Sequence, residues 1–242
     1  MKQMLHDIVV VIGMPRGGTT WLYENIKAHP DVCVSEIKEI NRYLLDMSDD
    51  KYRRLFKDTS RRFKIDISPL YYFDREALAE IARRHDKVIF LEREPDSWLG
   101  SMRKQIAKYD NTADQMASTG VFRIPVAKHR TIIFDANEYD QQRYIAEVET
   151  IFGDKLLKLR FSDVEESPVA LLSSIERFLG IRSYFNETNV VTEKINAGDK
   201  TLSRFYAALA RSHALDIAIP IALAILPRRV IHWLRSRFVY RR

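Results

Sequence analysis

The residues best placed to do chemistry form a short loop near the start of the chain, Gly13-Met-Pro-Arg-Gly-Gly-Thr-Thr20. Gly13, Gly18 and Thr20 fall in the register of a phosphate-binding GxxxxGK[ST] loop, and Thr19 stands where that pattern has lysine. A loop of this kind turns backbone N–H groups and a helix N-terminus toward an anion. Without the lysine, but with Arg16 three residues earlier, the loop predicts an anion site with a different group beyond the phosphate cradle. A structural turn is the alternative.

The flanking pattern predicts the elements that position this loop. Ile8–Ile12 is a continuous β-branched run, typical of a parallel strand covered on both faces, and a helix should run from Thr19 toward His29-Pro30. Further strands are predicted at 32–34, 63–67, 87–91 and 156–161, and further helices at 75–84, 95–108, 138–152 and 168–179, with Ser162 and Ser167 as candidate caps. This alternation indicates an α/β fold, a central parallel sheet flanked by helices.

Composition limits the number of domains and the class of partner. A chain of 242 residues that is 46% hydrophobic can bury one sizeable core. The formal net charge of +6 favours anionic partners. Cys33 is the single cysteine, which excludes an intramolecular disulfide. Together with an N-terminus that lacks the pattern of a signal peptide, it leads us to expect a cytoplasmic protein.

The character of the chain changes after residue 185. We predict one α/β domain over 1–185 and a helical, basic extension over 186–242, packed on or beside that domain. The apolar stretch 214–226 is too short and too interrupted to span a bilayer. The basic, aromatic end could cover the domain or make peripheral contact with an anionic membrane.

A second candidate anion contact follows the strand predicted at 87–91. Arg93 lies at the strand's carboxyl end, where ligands of open α/β sheets bind, and Ser101 lies eight residues later, two turns along the predicted helix. Both side chains could hold one phosphate. A surface arginine and an ordinary helix serine are the alternative.

The loop and its helix, GMPRGGTTWLYENIKAHPDV, resemble the 5′-phosphosulfate loop of sulfotransferases that use 3′-phosphoadenosine 5′-phosphosulfate (PAPS), nearest the tyrosylprotein and heparan sulfate branches. The resemblance extends over roughly residues 8 to 182 and implies a P-loop sulfotransferase architecture. It implies nucleotide contacts from Arg16, Gly17, Gly18, Thr19, Thr20 and Trp21, with Arg16 also stabilising charge on the bridging oxygen. We interpret His29, at the end of the helix, as a packing residue.

The segment around Arg93 resembles the family's 3′-phosphate motif. This resemblance implies that Arg93 and Ser101 bind the 3′-phosphate, a group that ATP lacks. Lys200 lies in a segment where family members often close a loop over the nucleotide. The resemblance therefore implies a weak nucleotide contact from Lys200. The resemblance thus implies PAPS as co-substrate, 3′-phosphoadenosine 5′-phosphate (PAP) as product, and no metal.

An acceptor must lose a proton as it attacks, so a base is expected near the loop. Glu36, Lys38 and Glu39 are the candidates, and Glu36 is also predicted to contact the substrate. Ser35-Glu-Ile-Lys-Glu-Ile-Asn-Arg-Tyr43 resembles the segment that carries the base in heparan sulfate-type members, which favours Glu39, with Glu36 as the reserve. Lys38 would help to stabilise the leaving group. The segment around Asp66 and Ser68 resembles one that lines the family's cleft, although Ile67 replaces its lysine, and both side chains are predicted to face the substrate.

These features predict a sulfotransferase acting on a hydroxyl or amine, with a carbohydrate or glycolipid acceptor. A nucleotide or small-molecule kinase is the chief alternative, and Asp66 is the one residue we identify as a candidate Mg²⁺ ligand for it. A non-catalytic anion- or polysaccharide-binding protein is the third possibility. No nucleic-acid module is recognisable, and the six histidines lack metal-ligand spacing.

Overall fold

The computed structural model describes residues 3–14, 16–45, 47–95, 97–101, 121–127, 130–135 and 137–192. The chain divides into two compact units, residues 1–100 with 120–195, and residues 101–119 with 196–242. Ser101 is the only described residue of the second unit. The boundary predicted after residue 185 stays a prediction, and the stretch 214–226 lies outside the described residues.

The first unit alternates strands and helices. Its strands are β1 (Ile8–Gly13), β2 (Val32–Val34), β3 (Phe63–Ile67), β4 (Val88–Glu92), β5 (Val121–Ala127), β6 (Arg130–Asp135) and β7 (Leu156–Arg160). Its helices are α1 (Thr19–Ile26), α2 (Asp49–Arg53), α3 (Arg75–Arg84), α4 (Gln141–Phe152), α5 (Ser162–Glu166) and α6 (Pro168–Leu179). Short 3₁₀ turns occupy Arg42–Leu44, Pro69–Phe73 and Gly153–Lys155, and residues 97–101 are helical.

Five strands form a parallel sheet in the order β2-β3-β1-β4-β7. All six residues of β1, the central strand, are buried. Val9 and Val11 pack in one cluster with residues of α1 and α6, whereas Ile8 packs in another with Tyr52 and Phe56. Because successive side chains point to opposite faces, covering both faces requires the unbroken apolar run seen in the sequence. The predicted α/β fold with a central parallel sheet is confirmed.

The parallel arrangement brings five chain segments to one edge. The carboxyl ends of β2, β3, β1, β4 and β7 all lie at this edge, so the segments that follow them lie side by side. We call it the carboxyl edge. The glycine loop, the Glu39 segment, Ser68, Arg93 and Phe161 each follow one of these strands.

The antiparallel hairpin of β5 and β6 was not predicted. Both of its strands fall between the helices predicted at 95–108 and 138–152, where the sequence pattern predicts no element. The helix predicted at 95–108 is helical at 97–101, and its remainder lies outside the described residues. No helix among the residues described is long and apolar enough to cross a membrane.

Two predicted caps do not function as caps. Ser167 precedes α6 without a capping side-chain bond, and Ser162 is already the first residue of α5. Asp140 instead caps α4, because its carboxylate accepts a hydrogen bond from the Arg143 N–H. This cap explains why α4 begins three residues after the predicted start.

Candidate active site

The loop after β1 has the geometry of an anion cradle. Gly18 adopts the left-handed conformation (φ 85°, ψ 4°) directly before α1, and no acidic residue lies in the first turn of that helix. A Cβ at Gly18 would lie 2.8 Å from the Phe161 ring, and one at Gly17 would lie 2.7 Å from the Met14 carbonyl oxygen. Side chains are therefore excluded at both positions, and the loop leads directly into the positive N-terminal end of α1. The Gly17 N–H itself donates to the Met14 carbonyl at 2.9 Å.

Arg93, at the end of β4, reaches this loop. Its Nη1 donates to the Arg16 carbonyl, while its Nε and Nη2 lie 3.1 and 2.8 Å from Ser97 Oγ. The guanidinium also stacks on Phe161, 4.4 Å from the ring centroid. Partial burial lowers the pKa of Arg93, and the neighbouring positive charge of Arg16 lowers it further. The Arg93 guanidinium is thus held against the backbone of Arg16, at the end of the glycine loop.

Ser97 is the serine whose contact with Arg93 the structure shows. Ser97 lies one turn along the helix and Ser101 lies two turns along, at the end of the stretch 97–101. Ser101 is half-buried. The predicted role of Ser101 in binding a 3′-phosphate stays a prediction, and the structure adds Ser97 as the residue that orients the arginine.

The segment carrying the predicted base is attached to the end of β3. The Glu39 N–H donates to the Ile67 carbonyl at 3.2 Å, and the Asn41 N–H donates to Ser68 Oγ at 3.0 Å. These two bonds place the Glu39 segment at the carboxyl edge, beside the end of β3. In the sheet β3 is the neighbour of β1, the strand that the glycine loop follows. Its side chain is 40% exposed and pairs with the Lys38 ammonium at 2.8 Å.

Glu36 lies in the same segment but pairs elsewhere. Its carboxylate is 2.7 Å from the ammonium of Lys57, and its backbone N–H donates to the carbonyl of Leu55. Lys57 lies beyond α2, so Glu36 is tied to a different part of the fold from Glu39.

The described part of the chain has three non-glycine residues with positive φ: Arg16 at 68°, Glu39 at 63° and Asn41 at 52°. All three lie at the carboxyl edge, and two of them are predicted catalytic residues. A left-handed backbone costs an L-residue roughly 1–2 kcal/mol, so it persists only where neighbouring contacts impose it. Strain of this kind is concentrated at functional sites, so these three positions are candidates for function.

Asp66 and Ser68 lie beneath this edge rather than on it. Both side chains are 0% exposed, and Ser68 Oγ donates to Asp66 Oδ1 at 2.7 Å. Tyr52 and Tyr71 donate to the other carboxylate oxygen at 2.9 and 3.1 Å. Burial raises the pKa of Asp66 to about 6, although the three hydroxyl donors oppose that shift. In this structure neither side chain is accessible to a substrate, which corrects their predicted placement. They instead support the Asn41 backbone beside Glu39.

Comparison with solved structures identifies the fold. The chain matches a sulfotransferase from Alicyclobacillus acidocaldarius with a TM-score of 0.61 at 16% sequence identity, covering 87% of this chain and 95% of that one. It matches the sulfotransferase domain of the curacin biosynthetic pathway with a TM-score of 0.51 at 15% identity, covering 80% of each chain. The fold is that of the sulfotransferases. A mouse sulfotransferase complexed with PAP also matches, with a TM-score of 0.50 at 18% identity over 88% of this chain and 67% of the other.

No family model and no curated protein sequence matches the chain. The branch of the family predicted from the loop motif therefore stays a prediction. Of the predicted phosphosulfate residues, Arg16, Gly17 and Gly18 occupy the turn between β1 and α1, whereas Thr19, which is 4% exposed, and Thr20 are the first two residues of α1.

Trp21 has a different environment from the one predicted. The indole is 5% exposed and packs in the core, and its Nε1 donates to the Val191 carbonyl at 2.6 Å. The Val191 N–H in turn donates to Asn25 Oδ1 at 2.8 Å. The predicted nucleotide contact of the indole is not supported, because the ring is enclosed by protein. Its contact with Val191 attaches the segment before residue 193 to α1. Lys200 lies outside the described residues.

His29 is a packing residue, as its position at the helix end suggested. The ring is fully buried, with Nδ1 accepting from the Asp31 N–H at 3.1 Å and Nε2 donating to the Arg182 carbonyl at 3.0 Å. Both ring nitrogens are engaged in structural bonds. No cluster of three potential metal ligands occurs among the residues that the structure describes.

Sequence reasoning missed two contributors to the site, Ser97 and Phe161. Ser97 could have been found, because a serine four residues after Arg93 lies one turn along a helix from it. Phe161 could not, because β7 is about 70 residues beyond β4 in the chain and only their pairing brings it beneath Arg93. The aromatic ring both fills the space beside Gly18 and supports the guanidinium.

Proposed function

We propose that this chain is a sulfotransferase that moves the sulfuryl group of PAPS to a hydroxyl or amine. The observation that carries the proposal is the Arg93 guanidinium bonded to the Arg16 carbonyl, at the end of a glycine loop that precedes a helix. Two arginines on this partly buried edge favour a multiply charged anion there. A nucleotide with a 5′-phosphosulfate and a separate 3′-phosphate matches two cationic positions on one edge.

In this proposal the residues of the carboxyl edge have distinct tasks. The loop N–H groups, Thr19 and Thr20 hold the 5′ end of the nucleotide, and Arg93 holds the 3′-phosphate. The nucleotide, when bound, supplies an activated sulfuryl group. Glu39 takes the proton from the acceptor on its carboxylate, as the left-handed backbone and its tethers to β3 present that side chain at the edge. Arg16 and Lys38 offset the negative charge that develops on the leaving phosphate.

The kinase alternative is weakened by the position of Asp66. This residue is the candidate Mg²⁺ ligand, yet it is fully buried and accepts hydrogen bonds from three hydroxyl groups. A carboxylate enclosed in this way cannot coordinate a metal at the nucleotide without refolding of the strand end. A non-catalytic anion- or polysaccharide-binding protein could use the same anion site. It is distinguished from a sulfotransferase by the absence of turnover that depends on Glu39.

Nucleotide preference is the first test. Adenosine 3′,5′-bisphosphate (PAP), AMP and ATP with Mg²⁺ should be compared by thermal unfolding of the purified chain. A ligand at a hundredfold excess over its Kd stabilises the folded state by about 2.7 kcal/mol. We expect the bisphosphate to stabilise at lower concentration than AMP. A stronger effect of ATP with Mg²⁺ would support the kinase instead.

The role of Arg93 can be isolated with a matched variant. Loss of a hydrogen bond to a charged group costs about 1.5–3 kcal/mol, which is roughly a tenfold to hundredfold loss of affinity. Arg93→Ala should lose that much affinity for the bisphosphate and little for AMP. Arg75→Ala removes an exposed arginine of α3 that pairs with Glu147 of α4, and this variant should bind like the wild type. Equal losses for both nucleotides in Arg93→Ala would contradict the 3′-phosphate assignment.

The base can be tested by comparing two glutamates of one segment. Glu39→Gln removes the proton-accepting carboxylate, and general-base catalysis typically contributes 10²–10⁴-fold to rate. Turnover should fall by about that factor while binding of the bisphosphate is unchanged. Glu36→Gln, which breaks the pair with Lys57, should retain activity. The reverse result would move the base to Glu36, and normal turnover in both would place it elsewhere.

The proposed acceptor class is a carbohydrate or glycolipid, which follows from the heparan sulfate-type loop motif and the basic end of the chain. A panel of saccharides, glycolipids, tyrosyl peptides and simple phenols, assayed for transfer of labelled sulfate, would test it. Preferential sulfation of acceptors without a sugar would reject the carbohydrate class while leaving the transfer reaction intact.

A further inference from the structure

The buried carboxylate of Asp66 is connected by hydrogen bonds to the segment that carries Glu39. Three hydroxyl groups donate to it: Ser68 to Oδ1 at 2.7 Å, and Tyr52 and Tyr71 to Oδ2 at 2.9 and 3.1 Å. Burial raises the pKa of Asp66 to about 6 in spite of these donors. The group is therefore ionised at neutral pH, although its surroundings oppose that ionisation.

An ionised carboxylate in this position does not serve the stability of the fold. Because its pKa is higher in the folded chain than in the unfolded chain, Asp66 stabilises the fold at low pH and loses that contribution as pH rises through about 6. An uncharged side chain of the same shape would be less costly to bury at neutral pH. The charge therefore points to a task other than folding.

Two of the three hydroxyl groups extend the network to the backbone that follows Glu39. Ser68 Oγ accepts a hydrogen bond from the Asn41 N–H at 3.0 Å, and the Tyr71 hydroxyl accepts one from the Tyr43 N–H. A hydroxyl group has one proton and two lone pairs, whereas an ionised carboxylate only accepts. The Ser68 and Tyr71 protons therefore point to the carboxylate, and their lone pairs remain available for the two N–H groups.

These bonds hold a strained part of the chain. Glu39 and Asn41 both have left-handed backbones, with φ of 63° and 52°. The Glu39 N–H is bonded to the Ile67 carbonyl at 3.2 Å, so the residue is held on one side by β3 and on the other by Ser68. A left-handed backbone persists only where contacts impose it. If the bond at Asn41 weakens, the chain can relax and turn the Glu39 carboxylate away from the carboxyl edge.

We propose that the ionised Asp66 carboxylate is a positioning group for sulfuryl transfer, which holds Glu39 at the carboxyl edge through Ser68 and Tyr71. The inference rests on the proposed function, in which Glu39 takes the proton of the acceptor. Protonation of Asp66 removes the charge that strengthens the three hydroxyl bonds and adds a further proton to a group of donors, so the tether weakens. A displacement of about 1 Å at a catalytic group can cost 10²-fold in rate.

The other titratable groups beside Asp66 keep one charge state near pH 6. Burial raises the pKa of the three tyrosines in this network, which therefore stay neutral: Tyr43, Tyr52 and Tyr71. Burial lowers the pKa of His85, which is hydrogen-bonded to the Tyr43 hydroxyl, to about 4. The positive charge of Arg42 lowers the pKa of Asp66. A titration of this network near pH 6 therefore belongs to Asp66.

Transfer of labelled sulfate from PAPS, measured between about pH 5 and 8.5 with the acceptor of the panel that the wild type sulfates fastest, tests the positioning role. The wild-type kcat should fall as pH drops through about 6. Tyr52→Phe removes a donor to the ionised carboxylate, so this fall should move to higher pH. Tyr72→Phe removes a hydroxyl bonded to Tyr139 and should leave the profile unchanged. Asp66→Asn and Ser68→Ala should lower kcat about tenfold to hundredfold at pH 8, with PAP binding unchanged.

Hydrogen exchange gives a measurement that does not depend on turnover. Protection of the Asn41 and Tyr43 amides, corrected for the intrinsic effect of pH on exchange, should be about fivefold lower at pH 5 than at pH 7 in the wild type. It should be low at both pH values in Asp66→Asn and should follow the wild type in Glu39→Gln. Protection that depends on Asp66 in a chain without transfer activity would reject the proposed function while supporting the tether.

The Tm of each variant separates positioning from unfolding. Asp66→Asn should keep or raise Tm at pH 7, because it removes a charge whose burial is unfavourable. Should this variant fail to fold, Ser68→Ala and Tyr52→Phe decide the matter. The positioning role is rejected if the folded Asp66 and Ser68 variants turn over like the wild type, if Tyr52→Phe leaves the acid fall at the same pH, or if protection of the two amides does not change with pH.

Discussion

Replacing Gly18 with alanine tests how the glycine loop, Phe161 and Arg93 are connected. Gly18 and Gly180 are both left-handed residues at a helix end, with φ of 85° and 66°. An L-residue in that region costs roughly 1–2 kcal/mol, of which about 0.4–1 kcal/mol is regained because alanine restricts the unfolded chain. Gly18→Ala and Gly180→Ala should therefore share a backbone cost of about 1 kcal/mol.

The two positions differ in what the new methyl group meets. At Gly180 the nearest atom is Arg62 Nη2 at 4.0 Å, an ordinary contact, whereas at Gly18 two carbons of the Phe161 ring lie at 2.8 and 2.9 Å. Overpacking of this kind typically costs about 1–3 kcal/mol. The free energy of unfolding should fall by about 2–4 kcal/mol in Gly18→Ala, against about 1 kcal/mol in Gly180→Ala.

Urea unfolding of the single variants and of Gly18→Ala combined with Phe161→Ala would measure the contact directly. In the Phe161→Ala background the cost of Gly18→Ala should drop to that of Gly180→Ala. Because a displaced ring no longer supports the Arg93 guanidinium, Gly18→Ala should also lose the preference for PAP over AMP, and Gly180→Ala should keep it. Equal costs for Gly18→Ala in both backgrounds would refute the reasoning.

Three further predictions concern the pH dependence of stability and the orientation of Arg93. Burial raises the pKa of Asp66 from 3.8 to about 6, so its contribution to the free energy of unfolding falls by about 3 kcal/mol as pH rises through that interval. In urea titrations at several pH values, Asp66→Asn should remove this decrease of the unfolding free energy with pH. Burial lowers the pKa of His85 from 6.5 to about 4, so stability falls by about 3 kcal/mol as pH drops through that interval, and His85→Gln should remove this opposite slope. The two effects offset each other in the wild type, and if both variants showed slopes of the same sign, the assignment that requires the opposite sign would be wrong. Ser97→Ala should weaken binding of PAP about threefold to tenfold by freeing the Arg93 side chain, without changing AMP binding; unchanged affinity would mean that Ser97 does not orient the arginine.

Local sequence pattern was sufficient for most of the α/β architecture. The apolar run of β1 and the glycine loop after it predict a strand, a turn and a helix, because burial on both faces demands unbroken β-branched residues and the turn demands glycine. The predicted bounds of β2, β3, α3 and α6 agree with the structure. The β5–β6 hairpin was missed because its register includes Pro125 and an irregularity near residue 127, which obscure the strand pattern.

The candidate site likewise has features that local sequence predicts and features that only the tertiary structure decides. Sequence alone identified the candidate residues whose chemistry depends on their own type and neighbours: Arg16 in its glycine loop, Arg93 after a strand, and Glu39 beside Lys38. Only the tertiary structure decided what surrounds them. The order β2-β3-β1-β4-β7 sets Glu39, the loop, Arg93 and Phe161 along one edge, and strand pairing across the chain cannot be read from any local window. The tertiary structure also decided that Asp66 and Ser68 are buried. A short polar side chain at a strand end can face either solvent or the core. The hydroxyl groups of Tyr52 and Tyr71, which bond the buried carboxylate, come from other parts of the chain.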